Sequence, residues 1–119
     1  MAMYLVLGKY TADGAAGVLK DGVKSRPEVV RKVVEASGGT LHGWYAVADG
    51  EWHLAMLIER PDDATGAADD AYVALMGASI GVYEKWKVMR LTSADEVDEA
   101  AQRAKTGMAD FKAPGTVSQ

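Results

Sequence analysis

Residues 40–60 read T-L-H-G-W-Y-A-V-A-D-G-E-W-H-L-A-M-L-I-E-R, two apolar runs on either side of Asp49-Gly50. An Asp-Gly pair between alternating runs favours a β-hairpin, because a two-residue type I′ turn requires positive φ at both central positions. With these two residues at the turn, Ala46 pairs with His53. The stretch therefore predicts a tight hairpin that supplies two neighbouring strands of a sheet.

The predicted hairpin has two faces, because successive side chains of a strand point to opposite sides of the sheet. The first is an ordinary core face, made of Leu41, Gly43, Tyr45, Val47, Trp52, Leu54, Met56 and Ile58. The second contains both histidines of the protein and is still rich in apolar side chains. Its residues are His42, Trp44, Ala46, His53, Ala55, Leu57 and Glu59. An apolar face of this kind is typical of an interface, so we expect a homodimer packed sheet against sheet about a twofold axis.

The composition is that of one ordinary globular domain, with 119 residues, 49% of them hydrophobic and 25% charged. A net charge of −4 argues against nucleic acid as a partner, because phosphate contacts need a basic surface. The absence of cysteine excludes disulfides, thiolate catalysis and cysteine-ligated metal. No apolar run approaches the ~20 residues that span a bilayer, and the N-terminus lacks the charged region of a signal peptide. We therefore expect a cytoplasmic protein with no membrane partner.

The remaining sequence predicts an α+β domain with the element order β-α-β-β-α-β and a C-terminal helix. The first predicted elements are a strand at 3–10 and an interrupted helix from Thr11 to Gly39, with a capping box at Ser25–Glu28. After the hairpin come a helix at 64–79 and a strand at 82–91. A short helix then runs from a capping box at Ser93 to about Lys105. This order is typical of the ferredoxin-like βαββαβ sandwich, an antiparallel four-stranded sheet with helices on one face. We assign residues 1–105 to this single domain and residues 106–119 to a flexible tail, which has one aromatic residue and no periodicity.

Two of these elements carry further predictions. The many alanines of 64–79 favour a helix packed closely on the sheet, with a buried stripe of Ala64, Ala67, Ala68, Ala71, Leu75, Met76 and Ala78. The strand at 82–91 has no clear alternation, because Val82, Trp86 and Val88 favour one face whereas Tyr83, Met89 and Leu91 favour the other.

Both histidines are candidates for general acid–base chemistry. In the predicted register His53 lies four residues along the ladder from His42, on the order of 13 Å away, so the two cannot share a metal ion or exchange a proton directly. His53 also lies beside the turn, where a ligand can enter. The alternative is that both are polar residues whose hydrogen bonds are satisfied at the dimer seam.

Aromatic and basic side chains are candidates for substrate binding, namely Trp44, Tyr45, Trp86, Tyr10, Tyr72 and Lys9. The aromatic residues would form walls for a planar ligand, although packing in the core explains them equally. A sheet lysine would bind an anionic group or protect an edge strand from pairing. Lys24-Ser25-Arg26 would receive an anion at a helix N-terminus, although a solvated helix start explains the same residues. There is no phosphate loop, dinucleotide fingerprint or nucleophile elbow, so we expect no cofactor and no metal ion.

The sequence also resembles the GYD domain family, small bacterial proteins named for a Gly-Tyr-Asp motif in the hairpin. The resemblance is carried by Tyr4-Leu5, Gly8-Lys9-Tyr10-Thr11-Ala12, Gly38-Gly39 with Leu41, Tyr45, Gly50-Glu51, Pro61-Asp62 and Leu91-Thr92, over roughly residues 3–100. Where the family usually reads Gly-Glu-Tyr-Asp, this chain reads Gly50-Glu51-Trp52-His53, so no role of the family's aspartate is carried over. The resemblance implies a dimeric α/β barrel, a group that includes cofactor-free monooxygenases, lactone isomerases, polyketide cyclases and haem enzymes. In such barrels the pocket often lies between sheet and helices, which would favour Tyr45 and Tyr72 over the histidines.

Two functions are therefore open. The first is a cofactor-independent enzyme acting on an apolar or aromatic metabolite, with histidine as acid or base in a cyclisation, isomerisation or oxygenation of a biosynthetic pathway. The second is a non-catalytic dimeric module that binds a small molecule or regulates a neighbouring pathway. A haem protein with His42 or His53 as axial ligand is an outside alternative. The sequence favours the enzyme.

Overall fold

The computed structural model describes residues 1–61, 64–109 and 114–115. Its elements are β1 (Ala2–Tyr10), α1 (Ala12–Asp21), a 3₁₀ turn (Val23–Ser25), α2 (Arg26–Ala36), β2 (Thr40–Ala46), β3 (Leu54–Arg60), α3 (Ala64–Ser79), β4 (Tyr83–Leu91) and α4 (Ala94–Met108). This order confirms the predicted α+β, ferredoxin-like fold with an added C-terminal helix. Over the described ranges, no helix combines the length and the apolar character needed to cross a membrane.

The four strands form one antiparallel sheet in the order β2-β3-β1-β4. Near the C-terminal end of β1, Gly8 lies opposite Leu54 of β3 on one side and opposite Trp86 of β4 on the other. Because side chains alternate along a strand, one side of the sheet collects the even-numbered residues of β1 and β3 and packs against the helices. The buried core on that side consists of Val6, Tyr10, Val34, Leu41, Leu54, Met56 and Ile58.

The loop between β2 and β3 is longer than the predicted two-residue turn. The N–H of Val47 donates to the carbonyl of His53 at 3.0 Å, which leaves the five residues 48–52 in the loop. The Asp49 carboxylate accepts a hydrogen bond from the N–H of Glu51, so it forms an Asx turn. Positive φ among the described residues is confined to four glycines outside this loop. The predicted type I′ turn is therefore wrong.

Contacts with the far strand hold this loop in place. Lys85 of β4 forms an ion pair with Glu51, and its Nζ lies 4.7 Å from the centre of the Trp52 ring. The Lys85 ammonium lowers the pKa of Glu51. The loop is thus tied to the end of the sheet by charge and by a cation–π contact.

A bulge at His42 shifts the register of β2 by one residue. Before the bulge the pairing is the predicted one, whereas after it Trp44 lies opposite Met56 rather than the predicted Ala55. A slip of one residue moves every following side chain to the other face. Trp44 therefore faces the helices, and Tyr45, which is 62% exposed, faces away from them. The predicted faces are wrong for the last four residues of β2.

Side chains cap two of the helix starts in the described part of the chain. Thr11 caps α1, and Ser93 with Glu96 forms a complete capping box at the start of α4. The box predicted at the start of α2 does not form. There, Ser25 is already helical and its hydroxyl donates to the carbonyl of Gly22 at 2.8 Å, so the 3₁₀ turn runs directly into α2.

α3 packs on the sheet through a different stripe from the predicted one. The predicted residues Ala68, Ala71, Leu75, Met76 and Ala78 are all exposed. The less exposed residues are instead Val73, Ala74 and Gly77, and Gly77 is buried against the ring of Tyr83. The side chains of the predicted Ala64 and Ala67 lie outside the described part of the chain. A Cβ at Gly77 would lie 2.6 Å from Cδ2 of that ring, so the absence of a side chain sets how closely the helix approaches β4.

α4 is exposed along its whole length. It extends to Met108, beyond the predicted end near Lys105. Most of the predicted tail at 106–119 lies outside the described residues. The core of the domain is therefore built from the sheet together with α1, α2 and α3.

The side of the sheet opposite the core is not covered by α1, α2 or α3 in the described part of the chain. Its central residues are Leu5, Leu7, Tyr45, Ala55, Leu57 and Met89. His42 and Glu59 lie beside them toward one end, and Lys87 lies next to them on β4. We call this surface the uncovered face. Of the apolar residues that the sequence predicted here, Ala55 and Leu57 lie on this face, whereas Trp44 and Ala46 do not and Tyr45 takes their place.

Candidate functional site

A cavity of about 230 Å³ lies between α2, α3 and the core side of the sheet. Its walls are formed mainly by eight valines, two isoleucines and two methionines. Polar atoms reach it from Arg26 and Arg60, and the rings of Tyr83 and Trp86 close one side. We call it the helix-face cavity. An apolar cavity with a few polar groups is the usual form of a small-molecule site, and this one is small.

Four rings lie side by side at the end of the sheet next to this cavity. His53 stacks on Tyr10 with ring centres 6.1 Å apart, and Tyr10 stacks on Tyr83 at 5.2 Å. Tyr83 meets Trp86 at 4.8 Å and an angle of 60°. We refer to these four residues as the aromatic row. Trp86 can lie flat over β1 because its cross-strand neighbour is Gly8, where a Cβ would approach the indole to 3.1 Å.

The hydroxyl of Tyr10 is a buried polar group in the middle of the aromatic row. Tyr10 is 6% exposed, and its hydroxyl forms no hydrogen bond of normal geometry with the described residues. Burial is the main cause that raises the pKa of Tyr10 to about 12, and Tyr83 adds to it, whereas the Arg26 guanidinium opposes it. Tyr10 is therefore a neutral phenol near pH 7, with a positive charge close to its oxygen.

Arg26 connects the aromatic row to the helix-face cavity. It is the first residue of α2 and is half-buried, and its Nε is buried without a hydrogen-bond partner among the described residues. It also lines a second cavity of about 240 Å³ beside α1, whose walls include Asp13 and Asp21. The guanidinium thus lies where an apolar cavity and a more polar one meet.

Arg60 has a structural contact at the other end of the helix-face cavity. It is only 4% exposed, and its Nη1 donates to the hydroxyl of Ser37 at 2.8 Å. The same hydroxyl donates to the carbonyl of Val34 at 2.9 Å. Arg60 therefore ties the end of β3 to the end of α2.

The structure separates the two predicted catalytic histidines. Nδ1 of His53 accepts the backbone N–H of Tyr10 at 3.0 Å, which leaves the proton of the neutral ring on Nε2. Nε2 of His42 lies 3.1 Å from a carboxylate oxygen of Glu59 near the uncovered face. In the described part of the chain, no three histidine or acidic side chains converge as a metal site would require. The catalytic roles of both histidines stay predictions.

Three of the predicted substrate-binding residues lie on the core side. Tyr10 and Trp86 belong to the aromatic row, in which Tyr10 contacts His53 and Tyr83, and Trp86 contacts Tyr83. Trp44 packs against the core, and its indole Nε1 is buried with no hydrogen-bond partner among the described residues. Only the first two therefore lie near the helix-face cavity.

The other three predicted binding residues lie away from that cavity. Tyr45 belongs to the uncovered face, and Lys9 pairs with Glu84 at 3.6 Å. Tyr72 is 67% exposed on α3. Their binding roles stay predictions, and the structure does not bring them together with the aromatic row.

Sequence reasoning missed the position of Tyr83, and it considered Arg26 for anion binding at a helix start but not as part of a cavity wall. Tyr83 lies opposite Tyr10 whereas Trp86 lies opposite Gly8, so an irregularity in β4 puts two residues spaced by three on the same side. Simple alternation cannot reveal such a shift. The valines of α2 were the available signal, since their spacing marked the helix face that lines the cavity.

Comparison with known proteins places this domain in a family. The GYD domain matches residues 4–101. A search of curated proteins gives no significant match. The family match covers most of the chain and confirms the resemblance noted in the sequence. The chain therefore belongs to the GYD domain family.

Proposed function

We propose that this protein is a cofactor-independent enzyme that acts on a small, largely apolar or aromatic metabolite by acid–base chemistry, such as a cyclisation, isomerisation or oxygenation. The supporting observation is the helix-face cavity, an apolar space of about 230 Å³ beside a buried phenol and a guanidinium. Such a combination suits a small substrate with one polar end. A cytoplasmic location and a place in a biosynthetic pathway, both expected from the sequence, belong to the same proposal.

Within this proposal Tyr10 and His53 are the groups that hold or move a proton. His53 has only Nε2 to offer, because Nδ1 accepts the N–H of Tyr10. The raised pKa of Tyr10 keeps its hydroxyl protonated near pH 7, so the hydroxyl can donate a hydrogen bond to a bound oxygen but is a weak acid. His42 lies away from the cavity beside Glu59, so its acid–base role would require a second site near the uncovered face.

The proposal includes a homodimer formed through the uncovered face. Leu5 lies opposite Leu57, and Leu7 lies opposite Ala55, so apolar side chains from adjacent strands are contiguous there. A contiguous apolar patch of this kind normally marks an interface, and a twofold axis would bury both copies at once. The two sheets would then face each other in a dimeric α/β barrel.

A non-catalytic binding module is the second candidate, and one observation favours it. Both imidazoles already contact protein groups, His53 through the N–H of Tyr10 and His42 through Glu59. Each histidine therefore has a structural explanation. A binding module would need only the cavity, without proton transfer.

The two candidates are separated by finding what the cavity holds and whether it is changed. Small molecules extracted from the purified protein are identified by mass spectrometry, then incubated with fresh protein and followed by chromatography. Conversion supports the enzyme, and an unchanged ligand supports the binding module. Val33→Trp places a large ring in the cavity wall and should abolish both ligand binding and ligand conversion. Leu19→Trp on the exposed side of α1 should abolish neither.

The histidine assignment needs its own variants. His53→Ala and His42→Ala are assayed for turnover, each with its circular dichroism spectrum compared with that of the parent protein. A rate loss confined to His53→Ala supports the role given to Nε2. Unchanged turnover in both folded variants removes histidine from the mechanism.

A further inference from the structure

We infer that the ligand of the helix-face cavity is a small monoanion, an apolar or aromatic body carrying a single anionic oxygen group such as a carboxylate, and that Arg26 binds this group. The inference rests on the proposed function, in that the cavity is taken to be a small-molecule site. It adds the chemical class of the ligand and the residue that recognises it.

The shape and lining of the cavity account for the apolar part of the ligand. The wall is made of aliphatic side chains from α2, α3 and the sheet, and two aromatic rings, Tyr83 and Trp86, close one side. A space of about 230 Å³ takes a single ring or a short chain. Binding there is favoured by removal of apolar surface from water, which does not depend on charge.

The two unpaired polar groups account for the anionic part. The Nε of Arg26 can only donate, and the neutral hydroxyl of Tyr10 has a proton to donate. Both atoms are buried and lack a hydrogen-bond partner of normal geometry among the described residues. Buried polar groups of folded proteins are nearly always hydrogen-bonded. The unpartnered Nε of Arg26 on the cavity wall, with the Tyr10 hydroxyl close to the same guanidinium, therefore indicates a missing acceptor. An anionic oxygen at the Arg26 end of the cavity would supply it.

The positive charge of Arg26 also indicates an anionic ligand. Among the described residues, no carboxylate forms an ion pair with it. Arg31 on the same helix, by contrast, pairs with Glu28 at 3.0 Å on the solvent side. Arg26 on the cavity wall therefore carries a positive charge that no carboxylate of the described residues pairs with. A guanidinium in this setting binds carboxylate groups well, because its rigid donors match their geometry.

Binding of matched neutral and anionic probes tests the inference. The probes are benzoate, cinnamate and octanoate, each compared with its own amide by isothermal titration calorimetry. We expect at least one carboxylate to bind about tenfold more tightly than its amide, the difference made by one charge-assisted hydrogen bond. Arg26→Gln should abolish this preference, Arg26→Lys should restore part of it, and the solvent-side control Arg31→Gln should keep it. Tyr10→Phe should weaken the carboxylate more than the amide.

The outcomes separate the inference from the proposed function. If acid and amide bind equally and Val33→Trp blocks both, the cavity is a binding site but the inference is wrong. A carboxylate preference that survives both Arg26→Gln and Val33→Trp would locate the anion elsewhere, for instance at Lys9 or Lys87 on the uncovered side, and would also contradict it. If none of the probes binds at millimolar concentration, the inference and the proposed small-molecule site both fail.

Discussion

The imidazole of His53 holds the backbone of Tyr10 at the end of β1, and this single hydrogen bond can be tested. His53→Ala leaves the N–H of Tyr10 without its acceptor, so we expect a loss of about 1 kcal/mol in the free energy of unfolding. In His53→Asn the side-chain oxygen lies as far from Cβ as Nδ1 does, and the loss should be much smaller. Urea unfolding of the two variants measures the difference. Equal losses would mean that the hydrogen bond contributes nothing.

The same comparison bears on the one position where this chain departs from the usual motif of its family. The family resemblance expects aspartate where this chain has His53. An aspartate oxygen can accept the same N–H from Tyr10 that Nδ1 accepts here. The replacement therefore preserves a backbone contact while it changes the group available for chemistry. We expect His53→Asp to fold as His53→Asn does.

The buried hydroxyl of Tyr10 predicts a specific dependence of stability on pH. Its pKa is raised to about 12, so between pH 10 and 12 the unfolded chain loses this proton while the folded chain keeps it. Stability contributed by the neutral phenol is complete below pH 10 and is lost as the pH rises toward 12, by about 2 kcal/mol in total. Lysines titrate in the same range, so the quantity to measure is the difference between the parent protein and Tyr10→Phe.

The stability of Tyr10→Phe at neutral pH is the reference for the change expected at high pH. The hydroxyl has no partner of normal geometry among the described residues, so its removal should cost little or even stabilise the fold at pH 7. As the pH rises above 10, the variant should become progressively more stable relative to the parent. A constant difference from pH 7 to pH 11 would contradict the burial of this phenol.

At the scale of elements, β3 could be predicted from the sequence and β2 could not. Leu54, Met56 and Ile58 alternate with Ala55, Leu57 and Glu59, and all three are buried as expected. β2 has Trp44 and Tyr45 side by side, so alternation gives no reason to bury one rather than the other. The bulge at His42 determines which of the two rings faces the core, and a bulge leaves no signal in residue type alone.

The prediction of a tight turn between these strands was wrong for a related reason. Asp49 and Gly50 were correctly placed in a connecting loop, because Asp and Gly both favour turns. The number of residues in the loop depends instead on which hydrogen bonds close it. Here the Asp49 side chain accepts the N–H of Glu51, and that local contact replaces the tight turn that the dipeptide suggested.

The close contact of α3 with β4 predicts opposite effects of one substitution at two glycines. Alanine normally stabilises a helix interior by about 0.5–1 kcal/mol relative to glycine. At Gly17 of α1, a new Cβ meets nothing within 4 Å, so Gly17→Ala should show that gain. At Gly77 it would lie 2.6 Å from the ring of Tyr83, and overpacking should make Gly77→Ala about 1–2 kcal/mol less stable. Thermal unfolding compares the two variants. A gain at Gly77 would mean that α3 is free to move off the ring.

At the scale of the whole molecule, the cavity could not be read from any one stretch of sequence. Arg26, Val73 and Trp86 belong to three elements that are far apart in the chain, and only the folded sheet brings them to one space. The two histidines were candidates for acid–base chemistry in the sequence, yet the fold places His42 and His53 at different ends of the sheet. Periodicity could locate faces of helices and strands, but the site depends on which faces meet.

The uncovered face predicts how the molecule associates. Leu57 lies at its centre, opposite Leu5 in the sheet, so Leu57→Glu would place two like charges near each other across a twofold axis. We expect the parent protein to be a dimer at micromolar concentration and Leu57→Glu to be a folded monomer, since Leu57 is only half-buried within one chain. Light scattering after size exclusion gives the mass, and circular dichroism checks the fold. The matched control is Leu19→Glu on α1, where leucine is 74% exposed, and it should remain dimeric. A monomeric parent, or a dimer that survives Leu57→Glu, would show that this face is not the interface.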